Sequence, residues 1–490
     1  MIFNSVTFVA FLAIVLPLHW FVPVARRNLV LLVASYVFYG WWDWRFLGLI
    51  ALSTVVDFAI GRRLGGTTSD EGRKRLLAAS LGFNLGVLGV FKYFDFFVDG
   101  AVDLASSVGF DASGPTLGIL LPVGISFYTF QTISYTFDVY RERIEPSRRL
   151  LDFATYVAFF PQLVAGPIER AQRLLPRIQD QAGRSFPRGP QLDRALSLIL
   201  SGLFKKVVLA DGVAPFVNEV FADPERFGPV AVAAGVVGFA IQLYGDFSGY
   251  TDIARGVSEL FGIDLMVNFR QPYLSRNITE FWRRWHISLS DWLRDYVYIP
   301  FGGNRGSSWF VARNLMATML LGGLWHGASW NFVIWGAVHG GALVVHRFLR
   351  DGRIPGRTLR VTQIPAIVAT FSVWCVSMVF FRAESVGAAA DVFAAMVRSQ
   401  PGESAFASVL LVAVLLAATI WLDVVQRRSG DRHDSARSLI SPTGDDATAT
   451  VRTSTPESST LAGALTAGVM LVAIVVFSGG SPVPFIYFQF

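Results

Sequence analysis

Apolar and polar positions follow one another along this chain in long blocks, not in short amphipathic periods. Stretches close to the ~20 apolar residues that cross a hydrocarbon core as a helix fall at 5–24, 28–43, 46–61, 76–98, 117–138, 194–221, 229–250, 309–325, 329–346, 362–381, 405–424 and 460–479. The second and third are short and read as tilted or broken. Basic clusters punctuate the first half: Arg26 and Arg27, then Arg62, Arg63, Arg73, Lys74 and Arg75, then Arg141, Arg143, Arg148 and Arg149. Cytoplasmic loops gather Lys and Arg. The connection at 99–116 has neither and carries Asp99, Asp103 and Asp111, as an external loop does. The apolar start has its Arg pair after the run instead of before it, opposite to a secretory signal. It reads as a retained first helix that begins outside the cytoplasm.

Three segments depart from this alternation. "LLDFATYVAFFPQLVAGPIER" (150–170) is apolar, yet basic loops flank both ends, and Pro161, Gly166 and Pro167 break any long helix. A re-entrant segment reconciles these facts. Irregular backbone at membrane depth persists only when buried in protein or lining a cavity, so the chain is expected to enclose a polar cavity. Residues 251–308 are too polar to span and too aromatic for a loose loop. Residues 427–459 are polar, rich in Ser and Thr and without periodicity, and read as a disordered cytoplasmic linker containing His433. The expected organisation is one membrane domain over 1–426 and 460–490, with an aromatic tail at 481–490.

Composition agrees. Of 490 residues 53% are hydrophobic and 16% charged, against about one quarter charged in soluble domains, so the fold class is an all-α polytopic membrane protein. The net charge of +6 is explained by basic loops and calls for no nucleic-acid partner. A single cysteine, Cys375, excludes an internal disulfide and a cysteine metal cluster. The six histidines, at 19, 286, 326, 339, 346 and 433, have no metal-ligand spacing, so no metal is expected. "GDFSG" (245–249) is not a nucleophile elbow, and "GGNRGS" (302–307) lacks the lysine of a phosphate loop.

Two blocks carry candidate chemistry. In "TEFWRRWHISLSDWLRDYVYIPFGGNR" (279–305), a continuous helix would put Trp282, Trp285, Leu289, Trp292 and Tyr296 on one face, with His286 at its edge and Arg283, Ser290 and Arg294 elsewhere. An interfacial anchor accounts for the Trp and Arg residues but does not require His286. In "LLGGLWHGASWNFVIWG" (320–336), His326 sits in a very apolar setting. It reads either as a packing histidine or as a neutral imidazole able to take a proton from a hydroxyl. Gly322, Gly323, Gly327 and Ala328 either leave room beside the ring or serve close helix packing. Asn331 either orients a substrate or does nothing, and His339 and His346 read mainly as structural. Asp246 and Asp252, in "IQLYGDFSGYTDIARG" (241–256), close an apolar run. Asp246 is either a buried functional carboxylate or a helix-end cap.

Taken together, "FYGWWDWRF", "LPVGISFYTFQTISYTFDVYR", "FFPQLVAGPIER", "LYGDFSGYTDIARG", "FWRRWHISLSDWLRDYVYIPFGGNR" and "GLWHGASWNFVIWGAVHG" resemble the membrane-bound O-acyltransferase (MBOAT) family. The likeness is to its bacterial branch of alginate O-acetylation and teichoic acid D-alanylation subunits. Asp291, Val297 and Phe301 stand where that branch often has Thr, Leu and Leu. The resemblance implies a bundle of about 11–12 membrane helices with re-entrant segments around a central funnel. It implies an O-acyltransferase, with acetyl the first expectation, in the cell membrane with both termini extracytoplasmic. His326 matches the family's invariant histidine and His286 its second polar position. Asp246, Asp252, Asn331, Trp325 and Arg294 are candidates for the substrate funnel.

The resemblance further implies a cytoplasmic thioester donor, on coenzyme A or an acyl carrier protein, and no bound cofactor. The acceptor is a hydroxyl of an extracytoplasmic molecule, expected to be a cell-surface polysaccharide, and an extracytoplasmic acyltransferase partner of SGNH type is implied. Tyr487, in the terminal "FIYFQF", matches a tyrosine thought to relay the acyl group; its other reading is an interfacial anchor. The rival classes are a transporter and a non-catalytic subunit of a glycan export complex. Missing internal repeats argue against the first.

Overall fold

The computed structural model describes residues 1–110, 113–115, 117–118, 121–350, 361–399, 402–433, 459–478 and 485–486. Helices account for every predicted span, and among the described residues the one departure from helix and loop is an isolated parallel bridge between Phe227 and Glu403. Six helical stretches there are long and apolar enough to cross a membrane: Trp44–Gly66, Asp70–Ser107, Pro229–Leu260, Trp330–Leu349, Val361–Arg382 and Phe406–Arg427. Large apolar side chains face outward from the bundle, among them Val6, Phe21, Val469 and Val475. In water such a surface would be a liability; against lipid it is the expected exterior. The chain is an all-helical, multi-pass membrane protein.

The helix Pro229–Leu260 is the central post. Its 32 residues rise about 48 Å, and most of its length is buried. It packs against the run Pro190–Phe204 and its π-helical continuation Lys205–Ala210. The contact is close because glycines line it: a Cβ on Gly249 would lie 2.7 Å from the Gly202 carbonyl oxygen, and one on Gly202 would lie 2.5 Å from that of Gly249. Small residues at four-residue spacing permit such backbone approach, which is what "GDFSG" does here.

Several boundaries differ from the sequence expectation. The supposed external loop at 99–116 is helical as far as Ser107, because Asp70–Leu88 runs through a π-helical turn, Gly89–Tyr93, into Phe94–Ser107. The span expected to stop at 250 continues to Leu260, so Asp246 is a mid-helix residue and not a helix-end cap. The helix Phe406–His433 runs into the segment read as a linker from 427; residues 434–458 lie outside the described residues.

The segment 150–170 is broken and enclosed. Helices Leu150–Ala158 and Phe160–Leu163 meet at Phe159, and all residues from Asp152 to Glu169 are buried. Nine residues rise only about 14 Å, too little to cross. The interrupted backbone finds its partners in protein. Phe160 N donates to Ser35 Oγ at 3.1 Å, Ile168 N to Ser288 Oγ at 3.0 Å, and Gln162 Nε2 to the Tyr156 carbonyl at 2.9 Å.

The largest correction concerns 279–305, which is not one helix. It divides into Ile278–Trp282, Ile287–Leu293 and a π-helical stretch Arg294–Tyr298. The break is at His286, whose φ of 43° lies in the left-handed region, where a side chain is uncommon and needs tertiary support.

Candidate active site

Asn268 supplies that support. Its Oδ1 accepts from Ser288 N at 3.1 Å and from Ser288 Oγ at 2.9 Å, and lies 3.3 Å from His286 Nδ1. A backbone N–H can only donate, so this atom is the carboxamide oxygen. The His286 nitrogen facing it is then the protonated one, a tautomer inferred from the network. His286 is fully buried, and its Nε2 has no hydrogen-bond partner among the described residues. In this tautomer Nε2 carries a free lone pair.

His326 is the last residue of the helix Ser308–His326, and the next residue, Gly327, is extended. Its ring is buried among Trp325 at 5.0 Å, Trp335 at 5.0 Å and Phe381 at 5.2 Å between centroids. Trp325 faces both imidazoles, lying 5.8 Å from His286 as well. Phe130 backs this tryptophan at 5.5 Å and stacks on Trp292 at 3.7 Å. The fold therefore brings together two histidines separated by 40 positions in sequence, with one indole between them.

The glycines around His326 serve packing. A Cβ on Gly323 would lie 2.1 Å from the Phe332 carbonyl oxygen, and one on Gly327 would lie 2.0 Å from the Phe332 ring. The hairpin between Ser308–His326 and Trp330–Arg350 closes through these positions. Gly323→Ala is expected to gain the ~1 kcal/mol of better helix propensity and lose more, since overpacking costs ~1–3 kcal/mol when the obstacle can yield and a backbone carbonyl yields poorly. Gly341→Ala, with nothing within 4 Å, is the control. Thermal unfolding in detergent should separate the two, with Gly323→Ala clearly lower and Gly341→Ala near wild type.

The remaining candidates are distributed. Asn331 donates from Nδ2 to the Ala383 carbonyl at 2.7 Å, tying two helices together, and its Oδ1 has no partner among the described residues. Asp246 is buried, paired with Lys206 at 2.9 Å, and accepts from Ile486 N at 2.6 Å. Asp252 pairs with Lys205 at 2.7 Å. Arg294 is exposed and bound to Asp291 and Asp295, each at 2.7 Å. Burial opposes ionisation of Asp295, but hydrogen bonds from Arg294 and Arg170 prevail and hold its carboxyl below the usual range. His339 Nε2 is 2.9 Å from Ser377 Oγ and His346 Nδ1 is 2.9 Å from Thr279 Oγ1, both in helix-to-helix contacts. Tyr487 lies outside the described residues. Phe485 and Ile486 before it are buried, and Phe485 packs on Tyr250 at 4.8 Å and Phe247 at 6.1 Å.

Two residues at the site were missed by sequence reading. Asn268 is one. Lys92 is the other, a lysine inside the apolar run 76–98, whose presence there was itself the available signal.

Two buried histidines thus meet inside a multi-pass helical membrane bundle. The family model described as "MBOAT, membrane-bound O-acyltransferase family" matches residues 141–387. A probable alginate O-acetylase of Azotobacter vinelandii is 45% identical over 400 residues, covering 81% of this chain and 78% of that protein. A peptidoglycan O-acetyltransferase of Helicobacter pylori is 35% identical over 429 residues, covering 81% and 80%. A teichoic acid D-alanyltransferase of Bacillus subtilis is 29% identical over 282 residues, covering 54% and 70%. This chain belongs to the membrane-bound O-acyltransferase family, and it is an O-acyltransferase.

Proposed function

We propose that the protein moves an acetyl group from a thioester, carried by coenzyme A or an acyl carrier protein on the cytoplasmic side, to a hydroxyl of an extracytoplasmic polysaccharide. The relatives named for acetylation of alginate and of peptidoglycan support the acetyl group and the glycan acceptor. The observation that carries the mechanism is the pair of buried histidines facing one tryptophan. His326 takes the proton of the attacking hydroxyl as its oxygen adds to the thioester carbonyl. The tetrahedral intermediate then expels the thiolate, which recovers the proton from the imidazolium. His286 Nε2, an acceptor in this tautomer, positions the acyl donor by taking a hydrogen bond from one of its own N–H or O–H groups. Both termini lie outside the cytoplasm in this reading. With Tyr487 as the relay, its phenol is the hydroxyl that attacks the thioester, and the resulting aryl ester passes the acetyl group to a partner transferase of SGNH type, which delivers it to the polysaccharide hydroxyl.

The test is a deletion strain. Mass spectrometry of its surface glycans should show acetyl esters lost and restored by the intact gene. Its membranes should fail to transfer label from radiolabelled acetyl-CoA into the macromolecular fraction. Unchanged glycan acetylation together with unchanged label transfer would end the proposal. Restored flux of a solute without ester formation would point to a transporter.

A further inference from the structure

Lys92 occupies the π-helical turn Gly89–Tyr93, in the middle of an otherwise apolar run. Its ammonium group has three hydrogens to donate, and three acceptors meet it: the carbonyl oxygen of Trp325, the carbonyl oxygen of His326 at 3.2 Å and Ser126 Oγ at 3.4 Å. The neighbouring Tyr93 hydroxyl donates to the Leu324 carbonyl at 2.7 Å. Two adjacent residues of one helix thus hold three consecutive carbonyls, 324 to 326, at the end of another. The Lys92 ammonium also lies 5.9 Å from the centre of the Trp325 ring, the ring that faces both histidines.

The last four carbonyls of a helix have no partners within it and form the negative end of its dipole, where a cation is favoured. A glycine or asparagine in the left-handed conformation just past the helix end often meets that need. A lysine within a membrane bundle is a costly cap, and this one is spent on the residue that ends in the His326 imidazole. With every ammonium hydrogen engaged, Lys92 has none left for an oxyanion.

We propose that Lys92, seconded by Tyr93, is a positioning residue of acyl transfer: it fixes the backbone of Trp325 and His326, and through it the placement of the His326 ring. This rests on the reading of His326 as the base. Small misplacements of a reacting group cost on the order of 10²-fold in rate, and that is the size of effect expected.

The experiment places variants at the chromosomal locus, so that any partners are present, and measures transfer from radiolabelled acetyl-CoA in isolated membranes per unit of enzyme. Lys92→Met should lower kcat about 100-fold and leave KM for acetyl-CoA within about threefold. Lys92→Arg, which keeps the cation, should recover most of the loss, and Tyr93→Phe should lower kcat by less than Lys92→Met. In a His326→Ala background Lys92→Met should have no further effect, since both act through one group. A kcat within threefold of wild type for Lys92→Met would overturn the proposal. So would an undiminished 100-fold loss in the His326→Ala background, which would mean that Lys92 acts independently of His326. If Lys92→Met fails to insert, wild-type kcat in Tyr93→Phe overturns it, and a kcat loss at unchanged KM in Tyr93→Phe supports it. Should His326→Ala alone retain near-normal activity, the reading of the base fails; should only Lys92→Met do so, the positioning role fails and the base stands.

Discussion

Replacing His326 by alanine is expected to lower acyl transfer by about 10²–10⁴-fold, the usual worth of general base catalysis. That corresponds to about 3–5 kcal/mol of transition-state stabilisation. Alanine also opens a void beside Trp335 and Phe381, so part of any loss could arise from packing. His326→Gln separates the two causes, since it fills much of the same space and retains a hydrogen-bonding group but cannot take up the proton. Both variants should be inactive at wild-type membrane levels. Glutamine activity within a few-fold of wild type, beside an inactive alanine variant, would assign His326 to packing. The measurement is label transfer from acetyl-CoA in membranes, with thermal unfolding in detergent as the structural control.

Tyr487→Phe is expected to abolish acetylation of the final acceptor. A phenol becomes a competent nucleophile once a base removes its proton, and the aryl ester it forms is more reactive than an alkyl ester, which suits an intermediate. The exchange keeps the aromatic ring and removes the oxygen, so an interfacial anchor would be nearly untouched while a relay would stop. Two residues before it already belong to the folded bundle: Phe485 sits on Tyr250, and the Ile486 amide donates to Asp246. Loss of glycan esters with normal insertion supports the relay. Recovery of a Tyr487 acetyl adduct by mass spectrometry, in a strain lacking downstream transferases, would identify the intermediate, and full glycan acetylation in Tyr487→Phe would exclude it.

The membrane helices were readable because lipid demands a long apolar stretch, and that demand is written residue by residue. The enclosed segment 150–170 was readable from a conflict, since its flanking charges and prolines deny it a crossing. The division at His286 was not. Trp285, Leu289, Trp292 and Tyr296 are buried as a single helical face predicts, yet the backbone between them turns at a left-handed residue held by Asn268, 18 positions earlier. Local periodicity carries no trace of a hydrogen bond made from that distance. The same holds for Lys92, two of whose three acceptors lie more than 230 positions away. His326 could be singled out from its setting, but the glycines beside it pointed equally to substrate room and to packing, and only the approach of Phe332 decides for packing.

Among the described residues three stretches are π-helical, Gly89–Tyr93, Lys205–Ala210 and Arg294–Tyr298, and each contains an ion-paired or hydrogen-bonded basic residue: Lys92 and Lys205 with Lys206 reach other elements, and Arg294 pairs locally with Asp291 and Asp295. A π turn accommodates one residue more than an α turn. Removing that residue would restore ordinary winding and leave the face beyond it nearly in register, because the wide turn already absorbs the extra residue. For this enzyme, deletions of a single amino acid at these three places are therefore tests of the bulge itself. They would withdraw a local widening while keeping each helical face where it is, and a mutational survey confined to substitutions would never sample them.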